Sequence, residues 1–300
     1  MPAFRLALVQ LNTALGDIQH NLQAHLEWIE QAKGQGADVV MFPELSLTGY
    51  MLQDLATTVA CRPDADDPIF GPLIKASHDV DLVVGFVETD ERFRPHIAAA
   101  YLSRGEVLHV HRKTYLPTYG LFDEGRFFAS GDQVRAFDTR FGRAGILICE
   151  EFWHVSPPYL LWMDGAELLL LVSASPMRDI ASGDTFGTVK WVERINQAYA
   201  SLFTTYVAHT VRVGFEDGIT FGGRATVFDP SGQLVARGPD LEEGLTVVEI
   251  DTEETQRTRS HLPLLRDERL SLFHQELSRL IDRRHGGEPD AGSDEDDPTP

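Results

Sequence analysis

The apolar run Gly145-Ile146-Leu147-Ile148 leads directly into Cys149-Glu150-Glu151-Phe152-Trp153. A continuous apolar run of this kind reads as a buried strand. A cysteine followed by two carboxylates at its end therefore stands where α/β folds place their chemistry. Buried free cysteine is also a common packing residue, so the run alone leaves both roles open for Cys149. The N-terminal region extends the α/β pattern. Phe4 to Gln10 reads as a strand, and Asp38 to Phe42 as a second. Between them Asp17 to Gly34 carries Ile18, Leu22, Leu26 and Ile29 at helical spacing and ends at Gly34 and Gly36. A β-α-β unit predicts two parallel strands with a helix on one face.

The remaining chain continues in this manner. The pattern predicts a helix over Pro68 to Asp79, a strand over Asp81 to Val87, and a hairpin of His96 to Ser103 with Glu106 to His111 across Arg104-Gly105. Strand character resumes at Val134 to Phe137 and Arg143 to Cys149. A short helix over Ser156 to Asp164 and a buried strand over Ala166 to Val172 follow. Asp184 to Phe203 reads as a long helix with Val189, Val192, Ile195 and Tyr199 on one stripe. Thr205 to Thr210 is a strand, and Asp229-Pro230-Ser231-Gly232 is the turn of a hairpin between Gly222 to Asp229 and Gln233 to Arg237. Leu245 to Ile250 is the last strand, and a helix over Asp267 to Arg284 either closes a dimer interface or covers the sheet. With no short repeat and no internal linker, the expectation is one α/β domain, residues 1–285, with two mixed sheets and helices outside. Gly286 to Pro300 has six carboxylates and no basic residue, and is expected to be a disordered acidic tail.

Composition narrows the function classes. The net charge of −20 opposes binding to nucleic acid or anionic membranes, because phosphate contacts need Lys and Arg. No apolar stretch approaches the length of a membrane-spanning helix. Met1 to Arg5 lacks a basic segment followed by an apolar one, so no signal peptide is expected. Two cysteines make no disulfide framework, which fits a reducing, cytoplasmic setting.

Other predicted strand ends also carry chemistry. Pro43-Glu44 follows the second strand, and Arg112-Lys113 opens a loop rich in Pro, Gly and aromatic residues that runs to Phe128. A thiol that cleaves an amide needs a base to take its proton, a cation to lower its pKa or hold the oxyanion, and an acid for the departing nitrogen. One carboxylate can serve as both base and acid. Among other candidates, His109 and His111 share a strand face but have no evident third metal ligand. His154 offers a Cys–His pairing or a loop position. Cys61 lies in a turn-like stretch without acid–base company. Phe152 and Trp153 line a pocket or pack the core, and Glu151 and Arg178 have no place fixed by sequence. No metal or cofactor is called for.

Phe42-Pro43-Glu44-Leu45, Arg112-Lys113 with Leu116-Pro117, and Ile148-Cys149-Glu150 resemble, in order and spacing, the three motifs of the nitrilase (carbon–nitrogen hydrolase) superfamily. The resemblance spans roughly residues 4–285. Leu11 to Asn21, Pro43 to Tyr50, Leu116 to Glu124 and Ser173 to Pro176 resemble most the glutaminase domain of glutamine-dependent NAD synthetases. The resemblance implies a four-layer α-β-β-α sandwich, usually paired into a homodimer or a higher homo-oligomer. It implies Glu44 as general base, Lys113 as stabiliser of the tetrahedral intermediate, Cys149 as nucleophile, the Glu150 N–H in the oxyanion hole, and Glu124 as a second glutamate positioning lysine and substrate. Tyr119, Glu150 and Ser175 match positions that hold the amino acid end of glutamine.

The expected activity is hydrolysis of a small carboxamide, a non-peptide C–N bond, to acid and ammonia through a Cys149 thioester. The synthetases continue into an ATP-using domain with a Ser-Gly-Gly-x-Asp-Ser loop, which this sequence lacks. Two further readings follow: a glutaminase subunit feeding ammonia to a separate synthetase, and a binding or regulatory subunit on the same fold. Where the family often has Asp-Gly-Gly-Ser, this chain has Phe221-Gly222-Gly223-Arg224, and Arg224 either selects an acidic substrate or pairs with a surface carboxylate.

Overall fold

In the computed structural model, residues 3–177 and 187–284 are described; Arg178, the start of the helix expected at Asp184 and the acidic tail lie outside them. The first sheet contains β1 (Phe4–Gln10), β2 (Val39–Met41), β3 (Asp81–Thr89), β4 (Pro95–Ser103), β5 (Glu106–Arg112) and the late strand β14 (Gly244–Ile250). Its order is β14-β1-β2-β3-β4-β5, with β1, β2 and β3 parallel and the other pairings antiparallel. The second sheet contains β6 (Phe137–Thr139), β7 (Gly142–Ile148), β8 (Leu168–Ser173), β9 (Tyr206–Val211), β12 (Thr226–Phe228) and β13 (Leu234–Arg237). Its order is β13-β12-β9-β8-β7-β6, again with three parallel central strands and antiparallel flanks.

The strand pleat explains the layers, because successive side chains point to opposite faces. Leu6 and Leu8 join Ile146, Ile148, Leu170 and Val172 in a core between the sheets. Ala7 and Val9 point the other way, against Leu22 and Ile29 of α1 (Ile18–Gly34) and Phe70 and Leu73 of α2 (Phe70–Ala76). On the far side, Leu147, Leu169 and Val207 pack against Leu161 and Trp162 of the helix Ser156–Met163 and against Val192, Tyr199 and Phe203 of the helix Gly187–Phe203. The result is the expected pair of mixed sheets with helices outside. Central strands buried on both faces need continuous apolar sequence, which is why those runs do not alternate.

Several elements differ from the sequence reading: the strand expected at Val134 to Phe137 lies at Phe137–Thr139, and short helical turns form at Gln53–Thr57, Glu124–Phe127 and Leu264–Asp267. Residues after β9 form a separate hairpin, β10 (Val213–Glu216) with β11 (Ile219–Gly222), closed by Asp217-Gly218, both at positive φ. An Asp-Gly pair of this kind marks a two-residue hairpin turn. Thr252–His261 is helical, and the last helix begins at Leu270 rather than Asp267. That last helix, Leu270–Arg284, buries none of its residues and touches the body where Phe273 packs on Tyr159, with ring centroids 5.1 Å apart. Among the described residues, no helix is long and apolar enough to cross a membrane.

Candidate active site

Four strand ends from the two sheets converge here. Glu44 lies just past β2, Lys113 directly follows β5, Cys149 directly follows β7, and Ala174 directly follows β8. The Lys113 ammonium donates to Glu44 Oε1 at 2.7 Å and to Glu124 Oε1 at 2.9 Å. Glu44 Oε2 accepts the Ala174 N–H at 2.8 Å, and the Cys149 thiol stands close enough to the same side chain to be raised by its charge. Glu44 and Lys113 are fully enclosed, and Glu124 and Cys149 nearly so.

The local backbone explains how these groups are aimed. The loop after β2 folds closely over β3 at Gly85, where a Cβ would lie 2.2 Å from the Pro43 carbonyl oxygen and 2.9 Å from Glu44 Cα. Two polar side chains of α1 hold the next turn: Asn21 donates to the Leu47 carbonyl at 3.0 Å, and His25 bonds the Ser46 hydroxyl at 2.9 Å. Cys149 has φ +48°, a left-handed conformation uncommon outside glycine, and opens a short 3₁₀ turn over Cys149–Trp153.

Charge in this enclosure is tightly balanced. Burial alone would lower Lys113, but Glu124, Glu44 and Cys149 raise it well above its usual range, so it stays an ammonium. Burial pushes the Glu124 carboxyl up to about 7, with Lys113 opposing the shift and Glu44 adding to it. Burial and Glu44 also raise the Cys149 thiol, and the opposing pull of Lys113 does not overcome them. The resting Cys149 side chain is therefore a thiol. The Lys113 charge pulls the thiol down as expected, but it is shared with Glu44 and Glu124, and burial outweighs it.

Sequence reasoning assigned no role to Tyr50, Arg212 or Glu216, which buttress this group. The Tyr50 hydroxyl donates to Glu124 Oε1 at 2.5 Å. Glu216 Oε1 accepts the N–H groups of Tyr50 and Met51 at 2.8 and 2.6 Å, and its Oε2 accepts from Arg212 at 2.7 Å. The guanidinium of Arg212, itself buried, lies over the Phe221 ring. The Asp217-Gly218 turn was the available signal, since it places Glu216 at the tip of a hairpin. A cavity of about 420 Å³ opens on the Tyr50 and Glu124 side, lined also by Phe122, Phe127 and Arg126; Cys149 is not in its wall.

The three expected substrate-binding residues fall into two places. The Tyr119 hydroxyl donates to the Glu150 carboxylate at 2.9 and 3.1 Å, while half-buried Ser175 follows Ala174 on the opposite strand end. His154 stacks on Tyr115 and lies 3.6 Å from Glu150. His109 stacks on Phe137, and His111 bonds Glu151 at 2.7 Å. Phe152 is core, whereas Trp153 is exposed. Cys61 is not in a loose turn. Its backbone pairs with Val87 and Thr89, its side chain is buried, and burial raises its thiol. Arg224 pairs with Glu193 at 2.9 Å and with Asp240 at 3.4 Å, which supports the carboxylate-pairing reading.

Known proteins resemble this chain to different extents. A glutamine-dependent NAD(+) synthetase from Acinetobacter baylyi is 30% identical over 256 residues, covering 85% of this chain and 45% of the relative. The chain thus spans under half the length of that relative. A crystal structure of a carbon-nitrogen hydrolase from Helicobacter pylori superposes with a TM-score of 0.79 at 24% identity, covering 92% of this chain and 99% of that one. A mutant amidase from a Nesterenkonia species, carrying the acetamide moiety of fluoroacetamide covalently on its active site cysteine, gives a TM-score of 0.74 at 24% identity, covering 91% and 96%. These two likenesses are of fold. The carbon-nitrogen hydrolase family model matches residues 5–260, and with that extent of match the chain belongs to the carbon–nitrogen hydrolase family.

Proposed function

We propose that this enzyme hydrolyses a small carboxamide to its acid and ammonia, with Glu44, Lys113 and Cys149 as the reacting set. The observation that carries the reading is the enclosed cluster: the Lys113 ammonium donates to both Glu44 and Glu124, and the Cys149 thiol stands within reach of all three charges. Glu44 takes the Sγ–H proton as sulfur adds to the amide carbon. The oxyanion that forms is held by Lys113 and the Glu150 N–H. Glu44 returns the proton to the nitrogen, the C–N bond breaks, and ammonia leaves an acyl thioester on Cys149. Water then gives a proton to Glu44 and attacks the thioester, and Glu44 passes that proton to the departing sulfur, releasing acid and thiol. Glu124 holds the Lys113 amine from its other side. Tyr119, Glu150 and Ser175 supply hydrogen bonds for the polar end of the acyl group.

A second reading has its own observation. The match to the synthetase covers under half of that relative, so a glutaminase acting beside a separate synthetase also fits. Ammonia release from glutamine, asparagine, ω-amides, short aliphatic amides, N-carbamoyl amino acids and nitriles tests both. The proposal expects turnover of an amide by the isolated chain and none by Cys149→Ala. Full turnover by Cys149→Ala contradicts it. Glutamine turnover that appears on adding a synthetase favours the second reading.

A further inference from the structure

Glu151 lies two residues past Cys149, takes no part in the chemistry described above, and is fully buried. Its Oε1 accepts the Thr114 N–H at 2.9 Å and the Thr114 hydroxyl at 2.6 Å. Its Oε2 accepts the Ile148 N–H at 2.7 Å and lies 2.7 Å from His111 Nε2. These partners are specific to the site. His111 and Thr114 stand on either side of Lys113 in sequence, and Ile148 immediately precedes Cys149. One carboxylate therefore grips the chain beside the amine and beside the thiol.

The two gripped segments need such a tie. Lys113 follows β5, at the edge of the first sheet, and Cys149 follows β7, inside the second. No main-chain ladder joins those strands. The bond from Ile148 N–H back to Glu151 also spans Cys149, whose left-handed backbone is unfavourable and persists only where its surroundings enforce it. Burial alone would raise the Glu151 carboxyl, but His111, Thr114 and Ile148 hold it below the usual range. It is thus an anion at neutral pH, with charge-assisted hydrogen bonds of the stronger class.

We propose that Glu151, with His111, is a positioning residue that fixes the Lys113 amine and the Cys149 thiol relative to each other across the two sheets. The proposal rests on the hydrolytic reading for its consequence in turnover, but not for its geometry. Misplacement of reacting groups by about 1 Å can cost about 100-fold in rate.

The test uses the full chain with Glu151→Gln, which keeps the size and removes the charge. Three quantities are read: kcat and KM on an amide that the wild type hydrolyses, the rate of Cys149 alkylation by iodoacetamide, and Tm. The expected result in folded protein is a kcat lower by about 100-fold with KM within about threefold, and alkylation slower by about tenfold. A folded Glu151→Gln protein with wild-type kcat and alkylation overturns the proposal. If Glu151→Gln does not fold, Thr114→Val removes one bond to Oε1 and keeps the N–H bond. It should slow kcat and alkylation by about three- to tenfold in protein that remains folded, because the N–H bond still holds the segment beside Lys113. Wild-type rates in that variant also overturn the proposal. Alkylation needs no substrate, so it still reads the geometry if no amide is turned over, an outcome that would count against the hydrolytic reading alone.

Discussion

The Lys113 ammonium stands between Glu44 and Glu124, and the protonation of Glu124 sets the charge of the group. The Glu124 carboxyl rises from its ordinary range to about 7, while its Oε2 is buried without a hydrogen-bond partner among the described residues. A pH–rate profile should therefore show an inflection near neutrality. In Tyr50→Phe, which removes a donor that favours the ionised carboxylate, that inflection should move to higher pH. An unmoved profile in the variant would assign the titration to another group. Glu44→Gln should reduce ammonia release by roughly 10²–10⁴-fold, the usual worth of a lost acid–base group, and should also lower Tm, because it breaks a buried ion pair with Lys113. Glu44, Lys113 and Cys149 stand out in the sequence because each lies just past a strand end, whereas Glu124, which opens the helix Glu124–Phe127, is pointed to only by the family resemblance. Tyr50, Glu216 and Glu151 were not assigned roles, because their contacts join segments remote in sequence: Glu216 meets Tyr50 across 166 positions and Glu151 meets His111 across 40.

At the scale of elements, the site depends on close backbone passage as much as on side chains. Glu44 can sit against Lys113 because the loop carrying it crosses β3 where β3 has no side chain. Gly85→Ala should therefore displace that loop. We expect a loss of about 1–3 kcal/mol, of the kind seen for overpacking, together with a fall in kcat. A thermal melt and turnover assay on one preparation read both, and wild-type values would mean that the loop moves aside freely. The long strands and helices were legible from apolar runs and 3.6-residue periodicity. The β10–β11 hairpin was passed over because its strands are four residues each and carry few apolar side chains. The helix Thr252–His261 was missed because no apolar stripe marks it; of its residues only Thr252 and Thr255 are buried.

At the scale of the whole molecule, several polar groups lie in the core without charge to compensate. Burial lowers His25 to about 4 and His209 to about 3, and each is enclosed with a serine hydroxyl as partner. The folded state disfavours their protonation, whereas the unfolded chain takes it up near pH 6.5. Their contribution is thus fully present above about pH 6.5 and is lost as pH falls toward 4 and then 3, by roughly a few kcal/mol in all. Glu124 works in the opposite sense: its raised pKa favours the fold at low pH, and that contribution is lost as pH rises through about 7. Urea unfolding from pH 7.5 to 4 should show falling stability, and His25→Asn should flatten the slope. An unchanged slope would show that His25 is not a source of acid lability. The overall architecture was legible because two buried parallel centres leave a strong apolar signature. The placement of the last helix was not, since its apolar stripe (Leu270, Phe273, Leu277 and Ile281) remains exposed.

The central claim is that Cys149 forms a covalent acyl intermediate. The most direct measurement is rapid acid quenching of the protein during turnover of its best amide, followed by peptide mass analysis. The acyl mass should appear on the peptide containing Cys149, and be absent from the Cys61 peptide and from Cys149→Ala. Undiminished turnover with no acyl mass on Cys149, or with Cys149 replaced, would contradict the claim.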